Sequence, residues 1–500
     1  MSRKRQYFAF IFLATSILFI GFAFPYFASV ASSVFKQHDA HVDIIEPILG
    51  ETSPGDIIQP ILGEISPGDI IHPILGETSR PDLDLTHPKI EVSFPTTSIP
   101  HGAHVNGFTI FDNLYLRNGT FFAVSLDPST FPPKEAILSA PLDLGVPSKE
   151  LLPTDKHLRY IDLEEAVQLL GHNPLHIDDM TVIIYDTKTF LRHYYHWWGE
   201  VILGFWRVYS MINEPGPLPF PSRFMLPVVE EGQWRDRADI NGPLLRAMNP
   251  SVSIETSGQW NDFIKLNRTI AFKRVGIVNR AAAHRHSEAG KYNKMIGPTM
   301  GLEIFSGYWK PLQTKLTQNL LGESSESPQD ITRETATTVK SKPVVIYISR
   351  QKTGRRLADK DHEALVHSLL KLQDEGFCKV EIPVMENLSV KEQIELVSRS
   401  TIMVGVHGNG LTHQLWMPSS SWSTVIEIFF PGGYLFDYQF LSRSAEHQHY
   451  AVWNDTSFTT AEAPKSNLDA EGMHGSEIPV YGPTVVDIIR QRLATLSSST

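Results

Sequence analysis

The sequence predicts an α/β protein whose body consists of two strand-and-helix halves facing a cleft. Short apolar strands alternate with amphipathic helices, a pattern typical of parallel sheets covered by helices on both faces. A polar stretch, Gly322–Lys342, divides this alternation into two halves. A long apolar segment near the N-terminus indicates that a membrane anchor precedes the body. The length of 500 residues is also more than one ordinary core accommodates.

Composition excludes some classes of protein. The chain has 44 Lys and Arg against 55 Asp and Glu, a formal net charge of −11. A nucleic-acid-binding protein normally presents a basic face, so we expect no nucleic acid as partner. The single cysteine, Cys378, allows no intrachain disulfide, and the body must therefore be held together by its core.

The N-terminus predicts a short cytoplasmic tail, residues 1–6, and a transmembrane signal anchor, residues 7–30. No charged residue occurs from Gln6 to Phe35. A helix of that anchor's length spans roughly 36 Å at about 1.5 Å per residue, enough for a bilayer core. Basic residues precede the segment, so the tail should stay cytoplasmic and the rest should cross. A cleaved signal peptide ending near Ser29-Val30-Ala31 is the alternative, although the apolar run is long for one.

Residues 31–100 carry a repeat with a 13-residue period and predict a stalk. The segment Asp43–Gly55 recurs from Asp56 to Gly68 and again, imperfectly, from Asp69. Its prolines exclude a continuous helix and favour a semi-extended spacer between membrane and body. An array of partner-binding strands is the sharper alternative. Four N-glycosylation sequons fit a luminal body: Asn118, Asn267, Asn387 and Asn454.

The two halves are assigned to residues 101–321 and 343–460, with 322–342 as a linker or insertion. The first half predicts strands at Met180–Tyr185, Arg223–Val228 and Thr269–Val278, and helices at Tyr194–Ile212 and Asp239–Met248. The second predicts strands at Val344–Ile348, Cys378–Ile382, Thr401–Val406 and Thr424–Phe429, and helices at Asp361–Asp374, Lys391–Ser398 and Leu411–Met417. In the tail, residues 461–500, a helix at Val485–Leu496 is expected to pack back across the halves.

The join between strand 401–406 and the next helix is the strongest functional signal. Ligands of open α/β sheets bind beyond the carboxyl ends of the strands. Glycines let the backbone approach a ligand closely, and a helix start favours an anion, so a diphosphate is the natural guest. The alternative is a tight turn with a surface histidine. A dinucleotide fingerprint, and with it a nucleotide-dependent oxidoreductase, is disfavoured because the glycine spacing is reversed. The predicted binding residues here are His407, Gly408, Asn409, Gly410, Leu411 and Thr412.

Further polar residues of the second half fit the same anion. Arg350, Arg355 and Arg356 follow the first strand, where guanidinium groups can fork onto phosphate oxygens. The alternative is a solvated basic loop. Glu427 lies between isoleucines within a strand and must have a partner. We expect that partner to be a ribose hydroxyl, with an ion pair to a neighbour as the alternative.

A polar and aromatic block opens a helix of the first half. His196 and Glu200 lie four residues apart, on one helix face, and can form an oriented general base. Trp197 and Trp198 are expected to stack on a sugar, or else to be core residues. His447 and His449 are interpreted as an exposed strand pair and not as a metal site.

Three blocks together resemble glycosyltransferase family 61, which includes secretory-pathway xylosyl- and N-acetylglucosaminyltransferases. They are Tyr194-Tyr195-His196-Trp197-Trp198, then Tyr347–Arg350 with Arg355-Arg356-Leu357, and finally Val404–Thr412 with Met417-Pro418 and Val425-Ile426-Glu427. Departures from the family pattern occur at Asp359-Lys360, Asn409 and His413.

The resemblance implies a GT-B type fold of two Rossmann-like domains and an inverting transfer from a UDP-sugar to a glycan or glycoprotein hydroxyl. It implies no obligate metal or cofactor and a Golgi or endoplasmic reticulum location. The second half would bind the nucleotide-sugar, and the first would supply the acceptor surface. A catalytically silent glycan-binding or scaffold relative is the alternative. In the first half, the resemblance implies His196 as base, then Glu200 or Asp186, and acceptor contacts from Arg192, Tyr195, Trp197 and Trp198.

Overall fold

The computed structural model describes residues 94–139, 152–212, 214, 216–322 and 342–494. All of them belong to one compact unit, Pro88–Thr500. The predicted anchor, the repeats of the stalk and most of the predicted linker lie outside the described residues. Within the described ranges, no helix is both long and apolar enough to cross a membrane.

The first sheet is mixed, and this corrects the prediction of a parallel sheet. Its described strands run in the order β4-β3-β2-β9-β6-β7-β8, with β1 beside β2 and β5 beside β9. The bounds are β1 His104–Val105, β2 Phe108–Arg117, β3 Thr120–Val124, β4 Leu158–Ile161, β5 Leu175–Ile177, β6 Thr181–Tyr185, β7 Arg223–Met225, β8 Ser253–Glu255 and β9 Ile270–Asn279.

A tight turn explains the mixed pairing of the first sheet. Asn118 and Gly119 join β2 to β3 with φ of 50° and 80°, the positive values that a two-residue hairpin requires. β2 therefore pairs antiparallel with β3, and it also pairs antiparallel with β9. Beyond β9, strands β6, β7 and β8 are parallel to one another, as the alternation of strand and helix predicts.

The second sheet follows the prediction closely. Its order is β11-β10-β12-β13-β14-β15, parallel except for the final hairpin of β14 and β15. The apolar runs predict β10 and β13 to the residue. The bounds are β10 Val344–Ile348, β11 Lys379–Glu381, β12 Ile402–Val406, β13 Thr424–Phe429, β14 Gln448–Trp453 and β15 Thr456–Thr459.

The helices differ from the prediction where the site lies. The helix expected at Tyr194–Ile212 is a π-helix, Tyr195–Ile202, continued by an α-helix, Leu203–Tyr209, and the helix after β12 is a 3₁₀-helix, Asn409–Trp416. Other 3₁₀-helices are Pro128–Thr130, Gly297–Gly301, Met385–Asn387 and Thr460–Glu462. The remaining α-helices are Lys134–Ile137, Leu163–Leu170, Lys188–Leu191, Asn241–Met248, Ser257–Lys265, Arg280–Ala283, Ser287–Tyr292, Lys310–Leu321, Asp359–Asp374, Val390–Ser398, Asp437–Ser444 and Gly482–Ala494.

Local sequence sets several helix starts. Helix Val390–Ser398 begins with a capping box, in which the Ser389 hydroxyl accepts from the Glu392 amide and the Glu392 carboxylate accepts from the Ser389 amide. Helix Asp359–Asp374 has Asp359 and Asp361 in its first turn, where the helix dipole favours negative charge.

One buried core joins the two sheets. It contains Trp197 and Trp198 of the first half together with Ile348, Leu415 and Trp416 of the second. The rings of Trp198 and Trp416 meet edge to face with centroids 5.1 Å apart. The two halves therefore share apolar packing behind the predicted cleft.

The last helix does not bridge the halves. Gly482–Ala494 packs against Asp359–Asp374 and buries Val485 and Ile489 in the core on the outer face of the second sheet. The expectation that it packs back across the halves is wrong, because its apolar face is used within the second half.

Candidate functional site

Two guanidinium groups converge at the carboxyl end of the second sheet. Arg350 Nη1 and Arg355 Nη1 each donate to the backbone carbonyl of His407, at 3.2 Å in both cases. Burial lowers the pKa of both arginines, and the neighbouring Arg350 lowers that of Arg355 further. No carboxylate forms an ion pair with either among the described residues. Two half-buried positive charges without a counter-charge form a site suited to an anion.

Gly408 makes this convergence sterically feasible. Its φ is +152°, a conformation that side chains disfavour, and a Cβ there would overlap Arg350 Nη1. A Cβ at Gly410 would lie 2.9 Å from Ile348 Cγ2, and one at Gly405 would lie 3.0 Å from Leu411 Cδ2. The glycines of the loop therefore leave space for the side chains of Arg350 and Ile348, whereas the sequence predicted space for a ligand.

His407 is one member of a buried hydrogen-bonded triad, His407–Glu427–His449. Its Nδ1 lies 2.5 Å from Glu427 Oε1, and His449 Nε2 lies 2.8 Å from Glu427 Oε2. Burial raises the pKa of Glu427 to about 7, against the opposing effect of His407, and lowers that of His407. Burial also lowers the pKa of His449 to about 3, so its neutral ring donates to Glu427. Glu427 is therefore paired with two histidines, and the structure supports the alternative prediction of an ion pair with a neighbour.

The imidazole of His407 keeps one nitrogen for a ligand. Its ring stacks on Phe429 with centroids 5.1 Å apart, and Glu427 occupies Nδ1. Within the described part of the chain, Nε2 has no hydrogen-bond partner. His407 is 5% exposed, so the predicted surface histidine of a tight turn is not what the structure contains.

The other predicted binding residues of this half have structural contacts. Asn409 Oδ1 accepts from the Tyr195 amide at 3.1 Å and so caps the π-helix of the other half. Leu411 and Thr412 are buried. Arg356 bonds through its backbone to Gly475 and Ile478, and its Nη1 donates to Thr353, so Arg355 and not Arg356 joins Arg350.

In the first half, His196 and Glu200 pair as the spacing predicts. His196 Nδ1 lies 2.7 Å from Glu200 Oε2, and the His196 side chain is 24% exposed while Glu200 is buried. Asp186, at the carboxyl end of β6, is fully buried and accepts from Arg280 Nε at 2.8 Å. Of the three candidates, only His196 can reach a substrate in this arrangement.

The tryptophans do not line an acceptor surface. Trp197 and Trp198 are both fully buried, and Trp197 packs against Phe224 and Trp234. Their core interpretation is the one the structure supports, since neither ring face is open to a sugar. Tyr195 is also buried, whereas Arg192 is exposed and donates to Gln233 at 3.3 Å.

A chain of rings connects the two halves of the site. The centroids of His196 and Tyr195 lie 5.2 Å apart, those of Tyr195 and Tyr438 5.5 Å, and those of Tyr438 and His407 5.2 Å. Two tyrosines therefore separate the half-buried imidazole of the first half from the arginine site of the second.

Sequence reasoning missed several charged residues here. Lys294 Nζ lies 2.7 Å from Asp437 Oδ2, an ion pair that connects the halves. Arg355 Nη2 contacts His474 Nδ1 from the C-terminal segment. Arg280 follows β9 directly, as Asp186 follows β6, and this shared strand-end position was the available signal. Lys294 and His474 lie on loops with no such signal.

Two further sets of predicted residues are the potential metal ligands and the glycosylation sequons. No group of three or more His, Cys, Asp or Glu in the described ranges is placed to hold a metal ion. His447 and His449 are buried, contrary to the expected exposed pair, because each bonds within the second half. Of the sequon asparagines, Asn118, Asn267 and Asn387 are exposed and Asn454 is half-buried.

These features define a two-sheet α/β protein in which two tyrosine rings separate a pair of converging arginines from an imidazole held by a buried carboxylate. The family model described as Glycosyltransferase 61 matches residues 194–426, the stretch from the π-helix to β13. This match supports membership of glycosyltransferase family 61, and it confirms the resemblance noted in the sequence. A comparison with curated proteins finds no match.

Proposed function

We propose that the protein is an inverting glycosyltransferase that transfers a sugar from a UDP-sugar to a glycan or glycoprotein hydroxyl. One observation carries the proposal: Arg350 and Arg355 converge on the His407 carbonyl, and no carboxylate of the described residues forms an ion pair with either. A diphosphate supplies the missing negative charge and accepts from both guanidinium groups. Family membership supports sugar transfer as the reaction.

The chemistry is a single in-line displacement. The acceptor oxygen bonds to the anomeric carbon while the bond from that carbon to the diphosphate oxygen breaks, which inverts the configuration. The acceptor proton passes to His196 Nε2, because Nδ1 is held by Glu200. Arg350 and Arg355 stabilise the charge that develops on the departing UDP, so side chains do the work that a metal ion does elsewhere.

The donor sugar and the architecture belong to the same proposal. Xylose and N-acetylglucosamine are favoured because the family that the chain resembles includes xylosyl- and N-acetylglucosaminyltransferases. We assign the two-sheet body to the GT-B type, with the donor beyond the carboxyl end of the second sheet. We expect no obligate cofactor.

The location is proposed from the N-terminus and the sequons. Residues 7–30 would anchor the protein in the Golgi or endoplasmic reticulum membrane with a luminal body. Asn118, Asn267 and Asn387 are exposed, as glycan attachment requires. The test expresses the protein in eukaryotic cells and compares its electrophoretic mobility before and after treatment with peptide N-glycosidase. If the three asparagines carry glycans, the treatment shifts the wild-type band, and changing all three to Gln abolishes that shift. Unshifted wild-type protein would contradict a luminal body.

The test of the function uses the purified protein without its anchor. UDP binding is measured by calorimetry, and release of UDP is followed with UDP-xylose and UDP-N-acetylglucosamine in the presence of glycan acceptors. We expect micromolar UDP binding and acceptor-dependent turnover with one donor. Binding without turnover across acceptors would favour the silent relative, and absence of UDP binding would refute the donor site.

A further inference from the structure

Arg280 is the buried cation behind the half-buried His196. It is 2% exposed and directly follows β9. Its Nε donates to Asp186 at 2.8 Å and its Nη1 to Glu200 Oε2 at 2.7 Å. The guanidinium also lies over the Phe190 ring, 3.9 Å from the centroid. One side chain thus connects the carboxyl ends of two parallel strands with the π-helix.

Glu200 is the carboxylate that Arg280 and His196 share. Its Oε2 accepts from Arg280 and lies 2.7 Å from His196 Nδ1, while its Oε1 accepts from the Met295 amide at 3.1 Å. Burial alone would raise the pKa of Glu200, but Arg280 and His196 hold it well below its ordinary value. Glu200 is therefore ionised and can only accept hydrogen bonds.

An ionised Glu200 decides which nitrogen of a neutral His196 carries the proton. Facing a carboxylate, Nδ1 must be protonated and donate, which leaves the lone pair on Nε2. Free histidine in water favours the opposite tautomer, with the proton on Nε2. Phe190 and Tyr195 confine the ring, with centroids 5.2 Å from that of His196 in both cases.

Without the charge of Arg280, two carboxylates would share a buried site. Burial acts to raise the pKa of both carboxyls, and Arg280 is the main group that opposes burial at Glu200, so the loss of its charge favours a proton on Glu200. A protonated Glu200 would no longer require a donor from Nδ1. The tautomer of His196 therefore depends on a residue that does not touch it.

We propose that Arg280 is a positioning residue that, through Glu200, fixes His196 as the tautomer with its lone pair on Nε2. The catalytic consequence rests on the function proposed above, in which that lone pair accepts the proton of the acceptor hydroxyl. The tautomer itself does not depend on any activity.

The experiment measures the tautomer of His196 directly. Imidazole ¹⁵N shifts of the labelled protein are recorded above the titration of the ring, and the His196 signal is assigned by its loss in His196→Ala. We expect Nδ1–H in the wild type and a substantial Nε2–H population in Arg280→Met. Arg280→Gln keeps a donor amide that can bond to the carboxylates. It provides a second neutral variant, which should be easier to accommodate in this buried polar site.

The charge-conserving variant and the kinetics separate positioning from mere structure. Arg280→Lys should retain the Nδ1–H tautomer, since the positive charge stays. In a folded neutral variant, kcat should fall by about 10²-fold while the UDP dissociation constant stays within about twofold. A folded neutral variant that keeps the Nδ1–H tautomer and wild-type kcat would overturn the inference, as would Nε2–H in the wild type. Absence of transfer by the wild type would refute the proposed function and leave the tautomer result standing.

Discussion

The charged groups at the carboxyl ends of the two sheets are arranged in opposite ways. Beyond the first sheet, Arg280 is paired with Asp186 and Glu200, and all three are buried. Beyond the second, Arg350 and Arg355 have only a carbonyl, a hydroxyl and a histidine among the described residues. Paired buried charges hold a side chain in one position, whereas unpaired ones are left for a charged ligand. Under the proposed function, the first site orients a side chain and the second binds the diphosphate.

The largest effect should come from removing the exposed imidazole of the orienting site. His196→Ala should lower kcat by about 10²- to 10⁴-fold, the usual contribution of a general base, with the UDP dissociation constant unchanged. Steady-state kinetics and calorimetry measure the two quantities. His172→Ala, an exposed histidine of the first half, is the matched control. A large loss of UDP affinity in His196→Ala would place this histidine in the binding site and erase the distinction.

The arginines of the binding site should show the reverse pattern. Arg355→Met should weaken UDP binding by about 10- to 100-fold, the effect of one charge-assisted hydrogen bond, without lowering the thermal midpoint. Arg355 forms no ion pair with a carboxylate in the part of the chain that the structure describes, whereas Arg280→Met breaks a buried pair and should cost about 3–5 kcal/mol of stability. Arg159→Met, which removes a surface pair with Glu165, is the control for net charge. Equal destabilisation at positions 355 and 280 would contradict the comparison.

Gly408 tests whether space for Arg350 is what the loop provides. Gly408→Ala should weaken UDP binding about tenfold, near the lower end expected for one displaced charge-assisted donor, and strain the backbone by about 1–3 kcal/mol. Gly290→Ala, a helix position with open space around its Cβ, should change neither quantity appreciably. Wild-type UDP affinity in Gly408→Ala would mean that Arg350 does not contact the diphosphate.

The smallest effect concerns pH. Because the pKa of Glu427 is raised to about 7, the pair of Glu427 and His407 holds a proton below that pH and loses it above. The loss adds a negative charge beside the diphosphate, so UDP affinity should fall roughly threefold from pH 6 to 8. Glu427→Gln should remove the part of this fall in UDP affinity that is due to Glu427. UDP itself titrates equally in both experiments, so the difference between the two proteins reports on Glu427 alone. Parallel curves of UDP affinity against pH for the two proteins would exclude Glu427 as the group that titrates beside the diphosphate.

The second half was the more predictable part of the fold. β10, β12 and β13 are continuous apolar runs, and their bounds follow from the sequence within one residue. β1 to β4 went unnoticed because their pairing depends on a hairpin and on contacts with β9, far away in the chain. The π-helix also escaped prediction, since its apolar pattern is that of an ordinary amphipathic helix.

Within the site, the sequence predicted which residues lie at strand ends, but not the hydrogen-bond partners of their side chains. Arg350, His407 and His196 stand where their strands and helix place them. Arg355 was not separable from Arg356, because the choice depends on a C-terminal segment that bonds the backbone of Arg356. Asn409 looked like a ligand residue, and its contact with Tyr195 spans 214 residues.

The sequence by itself determined the α/β class, the second parallel sheet, the family resemblance and the strand ends that carry the polar residues. These follow from local periodicity and from motifs contained in single segments. Only the tertiary structure decided which charges are neutralised, which tryptophans are core and which histidine nitrogen is open. Those outcomes depend on side chains contributed by distant segments, and their burial and pairing are properties of the packed chain.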